Sequence, residues 1–146
     1  MEFQSDAQKQ AYEKVAGMVK ELFGQFANAR TDIPGFGISY GSAYIIVQVF
    51  PWGDNDATIT TRSYVVTGIE LTPELMQFLL QANDQMRFGA FGLDKDNDIF
   101  YEHTIVASTA DLEELKASVM AVIYTADQYD DQITSRWGGQ RASDRK

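Results

Sequence analysis

Cysteine, histidine and positive charge are what this chain has least of. It holds no cysteine and one histidine, His103. Disulfides and thiolate metal sites are thereby excluded, which fits a reducing compartment such as the cytoplasm. A zinc site would have to lean on carboxylates, an unusual donor set, so no metal or other cofactor is expected. Lys and Arg number 12 against 21 Asp and Glu, for a formal charge of -9. Such a surface repels phosphate backbones and gains nothing at an anionic membrane, so neither nucleic acid nor lipid is an expected partner. Neither G-x-x-x-x-G-K-[ST] nor G-x-G-x-x-G occurs. No apolar run approaches the roughly 18–20 residues that span a bilayer. The opening MEFQSDAQKQ lacks the pattern of a secretory signal.

What is present suffices for one domain: 146 residues, 45% hydrophobic and 12% aromatic. Met86–Val106, MRFGAFGLDKDNDIFYEHTIV, anchors the reading as two apolar strands around the polar turn Asp94–Asp98. Ser5 and Gln8 form an S-x-x-Q capping box and predict a helix from Ser5 to about Arg30. Its apolar stripe is Tyr12, Val15, Val19, Leu22, Phe23 and Phe26, and Gly17 and Gly24 read as tolerated within it. Thr31–Gly35 breaks the helix. Strands are then predicted over 36–40, 43–50 and 57–69, the first two joined at Gly41-Ser42, as an antiparallel meander.

The second of these strands is apolar on both sides. Ala43, Ile45, Val47 and Val49 point one way, and Tyr44, Ile46 and Phe50 the other, so it needs cover on two faces. Thr72-Pro73-Glu74 opens a second helix, with Leu75, Leu79, Ala82 and Met86 as its buried stripe and Met76 and Leu80 beside it. Asp111 and Glu114 cap a third, reaching about Trp137, whose stripe runs from Leu112 to Ile133. At about 1.5 Å per residue it measures about 39 Å, more than one small sheet needs. Met120, Ile123 and Tyr124 add a second apolar flank to it. Gly138-Gly139 ends it, leaving a single domain over 1–139 and a flexible tail over 140–146.

Three clusters invite a chemical reading. Asp94, Asp96 and Asp98 imitate the start of a calcium loop, but Ile99 stands at the glycine position and Ile105 where a bidentate Glu is needed, so a turn explains them better. His103 neighbours Glu102, yet adjacent strand residues point to opposite faces, so they form no acid–base pair. Asp127, Asp130 and Asp131 read as a solvated helix face, or alternatively as a dock for a basic segment. No constellation of catalytic groups emerges, and the chain is expected not to be an enzyme.

The run LTPELMQFLLQANDQMRFGAFGLDKDNDIFYEHTIV, the later TADQYDDQI and the order helix, three strands, helix, two strands, helix together resemble the bacterial YbjN family. That family shares the fold of type III secretion chaperones of the CesT and SycE kind. The resemblance implies an α+β domain, an antiparallel sheet of about five strands with helices mainly on one face. It also implies a homodimer that holds extended segments of a protein or peptide client. A regulatory scaffold acting through one fixed partner is the alternative. No catalytic residues carry over. Phe88, Phe91 and Tyr101 on the hairpin, with Tyr124 and Tyr129 on the long helix, are the candidate partner contacts. The sheet face away from the helices is expected to be partly buried by a second copy.

Overall fold

Each helix begins where a side chain stands in for a missing backbone acceptor. Ser5 Oγ accepts the amide of Gln8, Thr72 Oγ1 that of Leu75, and a carboxylate oxygen of Asp111 that of Glu114. The computed structural model describes residues 1–41 and 43–144. The chain runs α1 (Asp6–Phe23), β1 (Ala27–Ala29), β2 (Gly35–Tyr40), β3 (Ala43–Trp52), β4 (Asp56–Thr67), α2 (Pro73–Gln85), β5 (Ala90–Leu93), β6 (Ile99–Val106), α3 (Leu112–Trp137) and β7 (Gln140–Arg141). Among the described residues no helix is long and apolar enough to cross a membrane.

The strands form one antiparallel sheet in the order β1-β2-β3-β4-β6-β5, with β7 also on β4. It has seven strands where about five were expected. The two extra strands lie where the sequence was read otherwise. The first helix stops at Phe23, because Gly24 turns to φ +54° and its amide closes on Lys20. A 3-10 turn follows, and Ala27–Ala29 then pairs with β2 inside the stretch assigned to that helix. At the other end Gly138 and Gly139, both at positive φ, return the chain to the sheet. Gln140 and Arg141 pair with Thr67 and Val66, and Ala142–Asp144 forms a 3-10 turn. Residues 140–144 are thus part of the fold rather than a free tail; Arg145 and Lys146 lie outside the described residues, as does Ser42 of the β2–β3 turn.

All three helices cover one face of the sheet. Alternation selects Phe36 and Ile38, Ile45, Val47 and Val49, Ala57 and Ile59, and Tyr101 to meet them, all buried. The core has two parts. One packs α1 against β2–β4; the other packs α2 against β5, β6 and the end of β4. α3 serves both: Leu115, Val119 and Ile123 belong to the first, Val122, Ala126 and Ile133 to the second. Its length is therefore used within the subunit, and Met120 and Ile123, expected as a spare flank, pack inward. Each fully buried aliphatic side chain contributes roughly 1.5–3 kcal/mol of transfer free energy, largely offset by ordering entropy.

Polar side chains tie the layers together. Gln8 is buried: its Nε2 donates to Val49 O at 3.1 Å, and its Oε1 accepts the amide of Gln4 rather than that of its expected capping partner Ser5. In the β5–β6 turn Asp94 Oδ1 accepts the amides of Asp96 and Asp98, and Asn97 takes φ +64°. Those bonds account for the Asp-rich run as turn chemistry.

Candidate functional site

The opposite face of the sheet carries no helix among the described residues. Strand alternation brings to it Tyr44, Ile46, Gln48, Phe50 and Trp52 from β3 and Thr58, Thr60, Arg62 and Tyr64 from β4. β6 adds Phe100, Glu102, Thr104 and Val106. Trp52 is 53% exposed, and Tyr44 and Phe50 are also open to solvent. The centre is polar. Arg62 Nη2 lies 2.7 Å from Glu102 Oε2, and its guanidinium sits 3.7 Å from the centroid of the Phe100 ring. Beside this pair Thr60 and Thr104 share a hydrogen bond of 2.7 Å. A shallow depression of about 430 Å³ lies between Ile46, Phe50, Arg62 and Tyr64.

The aromatics are held in place, not free to collapse. The Tyr64 hydroxyl donates to Asp94 Oδ2 at 2.9 Å. That carboxyl is held below the usual range: burial pushes it up, but the bonds from the Asp98 and Asp96 amides and from Tyr64 outweigh it. Tyr44 lies across Gly37, where any Cβ would collide with its hydroxyl, and that hydroxyl accepts from Arg30 Nη1 at 3.1 Å. The Phe100 ring occupies the space a Cβ at Gly92 would need. Gly92 therefore answers to packing within the sheet.

A second apolar surface lies on α2. Leu80 is 70% exposed and Met76 stands one turn before it; Phe78 and Tyr129 line the same broad trough of about 1110 Å³. The sheet edge beneath α2 is closed. Asn83 Oδ1 accepts the Phe91 amide at 2.7 Å, and its Nδ2 donates to the Phe91 carbonyl at 3.3 Å. One side chain thus imitates the next strand at the middle of β5.

The five aromatic residues proposed from sequence separate into two groups. Phe88 and Tyr124 are exposed, while Tyr129 is half-buried against Phe78 and Phe91. Phe91 and Tyr101 point into the core, Tyr101 at 1% exposure, with ring centroids 5.0 Å apart and the Tyr101 hydroxyl donating to Phe88 O. They support the hairpin from within and offer no surface to a partner. Tyr44, Phe50 and Trp52, the exposed aromatic groups of the uncovered face, were not singled out as contacts, although the doubly apolar β3 was the signal for them. His103 faces the helices, with Nδ1 2.8 Å from Ser118 Oγ and its ring 5.4 Å from Phe88, and burial lowers its pKa. Glu102 faces the other way, to Arg62. Of the acidic cluster, Asp127 and Asp131 are solvated but Asp130 is buried, and that burial raises its carboxyl pKa. Among the described residues no group of His, Asp and Glu is placed to hold a metal ion.

A one-layer sheet with three helices on one side and an open face on the other is an arrangement found elsewhere. Residues 9–145 match the family model described as T3SS (YopN, CesT) and YbjN peptide-binding chaperone 1. The chain belongs to this family. A search of curated proteins returns no significant match. Among solved structures, the chaperone family member is similar to a chain of the HopA1-SchA chaperone-effector complex, with a TM-score of 0.64 at 9% identity, covering 84% of this chain and 96% of that one. The ExsC-ExsE complex gives 0.63 at 14% identity, with 82% and 93% covered. The Yersinia pestis type III secretion chaperone SycH, in complex with a stable fragment of YscM2, gives 0.55 at 12% identity, with 81% and 98% covered. At these identities the likeness is one of fold.

Proposed function

We propose that this protein is a non-enzymatic, cytoplasmic peptide-binding chaperone that works as a homodimer and holds an extended segment of a client against the open sheet face. The observation that carries the reading is the uncovered aromatic surface of Tyr44, Phe50 and Trp52 around the Arg62–Glu102 pair. A single-layer face of this kind loses free energy to water unless something lies on it. The structural relatives are seen with effectors or protein fragments bound, which makes a polypeptide the natural occupant. For the twin we propose the apolar surface of α2 around Met76 and Leu80, in place of the sheet face expected from sequence, because an exposed apolar helix face repeated about a two-fold can pack against itself and leave the sheet to the client.

Trp52 supplies the test. In a Trp137→Phe background it is the chain's one tryptophan, and its emission reports on cover of the open face. Unstructured apolar peptides that bind there should shift the emission to the blue, and Phe50→Ser should weaken them by about tenfold or more. Peptides that bind without moving the emission, or an array on which no peptide binds, would refute the assignment.

A further inference from the structure

The registers of β3, β4 and β6 rule the open face into rows that run across the strands. Phe50, Thr58 and Val106 make the first row and Gln48, Thr60 and Thr104 the second. Ile46, Arg62 and Glu102 make the third. Tyr64 and Phe100 make the fourth. Tyr44 stands beside them on β3, where its carbonyl accepts from Ser63 Oγ at 3.2 Å. Successive rows are two residues apart along a strand. At about 3.3 Å per residue, Phe50 and Tyr44 therefore stand about 20 Å apart.

The rows differ in what they accept. The outer two carry the open aromatics: Phe50 is 39% exposed, with Trp52 beyond it, and Tyr44 is 49% exposed. Covering these rings removes apolar surface from water. The inner two are polar, and their groups are paired across the strands, Thr60 with Thr104 and Arg62 with Glu102. Arg62 also lies over the Phe100 ring, which is buried beneath it. The ion pair sets both signs of charge at one spot. An apolar side chain laid on it desolvates two charges and returns nothing. A charged one meets its like beside its opposite. The charge pattern of this centre is therefore complementary to neutral polar residues.

An extended chain has the same period as the rows. Every second side chain faces the sheet, so alternate residues of a segment lying along β3 fall on the four rows in turn. A helix needs about 13 residues to span the same 20 Å, and a chain crossing the strands stays over a single row. We propose that the client segment is a seven-residue extended stretch with large apolar residues at its first and last positions and neutral polar residues at its third and fifth. The positions between face solvent and are unrestricted. The pattern reads the same in both chain directions. It rests on the reading of the open face as the client surface, and adds to that reading a spacing and a polarity.

Capped synthetic peptides test it on the full chain carrying Trp137→Phe, with Trp52 emission as the readout. The reference peptide has leucines six residues apart, threonines at the two facing positions between them and serines elsewhere. Moving one leucine a single residue inward turns it away from the sheet and should weaken binding about tenfold. Leucine in place of both threonines should weaken it several-fold. Tyr44→Ser should lower the reference peptide to the level of the shortened one and leave the shortened one unchanged. Should that variant fail to fold, the peptide series decides alone. Equal binding at the two spacings would overturn the pattern, as would tighter binding of the all-leucine peptide or of one whose leucines are about 13 residues apart. The two readings fail separately. Peptides that shift the emission without regard to spacing remove the pattern and keep the client surface. Emission that no peptide shifts, or that shifts with protein concentration alone, removes the client surface and the pattern with it.

Discussion

Leu80→Ser is expected to split the proposed dimer and leave the subunit standing. Leu80 is 70% exposed on the outer side of α2. Full burial of a leucine side chain is worth roughly 1.5–3 kcal/mol, so about 1–2 kcal/mol remains to be gained when a partner covers it. A two-fold contact uses the residue twice, so the substitution should weaken dimerisation by about 2–4 kcal/mol, or roughly 30- to 1,000-fold in Kd. Within the subunit the same change touches little, and stability should shift by no more than about 0.5 kcal/mol. Sedimentation velocity across the micromolar range measures the first quantity and the urea midpoint the second. A dimer that survives Leu80→Ser but dissociates with Trp52→Ser would place the twin on the sheet face. A wild-type protein that is monomeric throughout that range would end the dimer reading altogether.

Asn83→Ala should leave the amide and carbonyl of Phe91 unpaired, at a cost of about 1–3 kcal/mol; chemical denaturation checks the loss, and light scattering should show new concentration-dependent association through the opened β5 edge. Asp94→Ala removes an acceptor for two amides and the Tyr64 hydroxyl and should lower stability by about 1–3 kcal/mol. The wild-type Asp94 carboxyl is depressed in the fold, so its contribution is present above its unfolded pKa and is lost as pH falls through the folded value; acid unfolding curves of wild type and variant should converge at low pH. Asp130 has the opposite sign. Its carboxyl is raised in the fold, so stability from that site is full below the unfolded pKa and is lost as pH rises through the folded value. Asp130→Asn should therefore unfold at higher urea than wild type at neutral pH, with the gap closing in acid.

The helix starts were legible because a cap is a local event: Ser5, Thr72 and Asp111 each bond an amide three residues on. The end of α1 was not. Gly17 and Gly24 look alike in sequence, yet only Gly24 takes positive φ. β1 and β7, of three and two residues, are too short to show a period. Apolarity on both sides of β3 was readable, but which side would receive the helices depends on pairing with β4, a non-local choice. The hairpin aromatics depend on where β5 begins. Phe91 lies within it and turns inward, whereas Phe88 precedes Gly89 at φ +101°, outside the strand, where no alternation places it. Asp130 could have been flagged. It falls one turn after Ala126 and three residues before Ile133, on the buried stripe of α3 rather than on its solvated side.

The place of α3 across both halves of the core bears on how the molecule comes apart. Removing α3 strips Leu115 and Val119 from one half and Val122 and Ile133 from the other in the same step. Each half then keeps a single helix as cover, α1 or α2, over a core opened along its length. Melting should accordingly be all-or-none, with amide exchange along β3, β4 and β6 slowing to one common rate. A client must then be taken up by a subunit that is already whole.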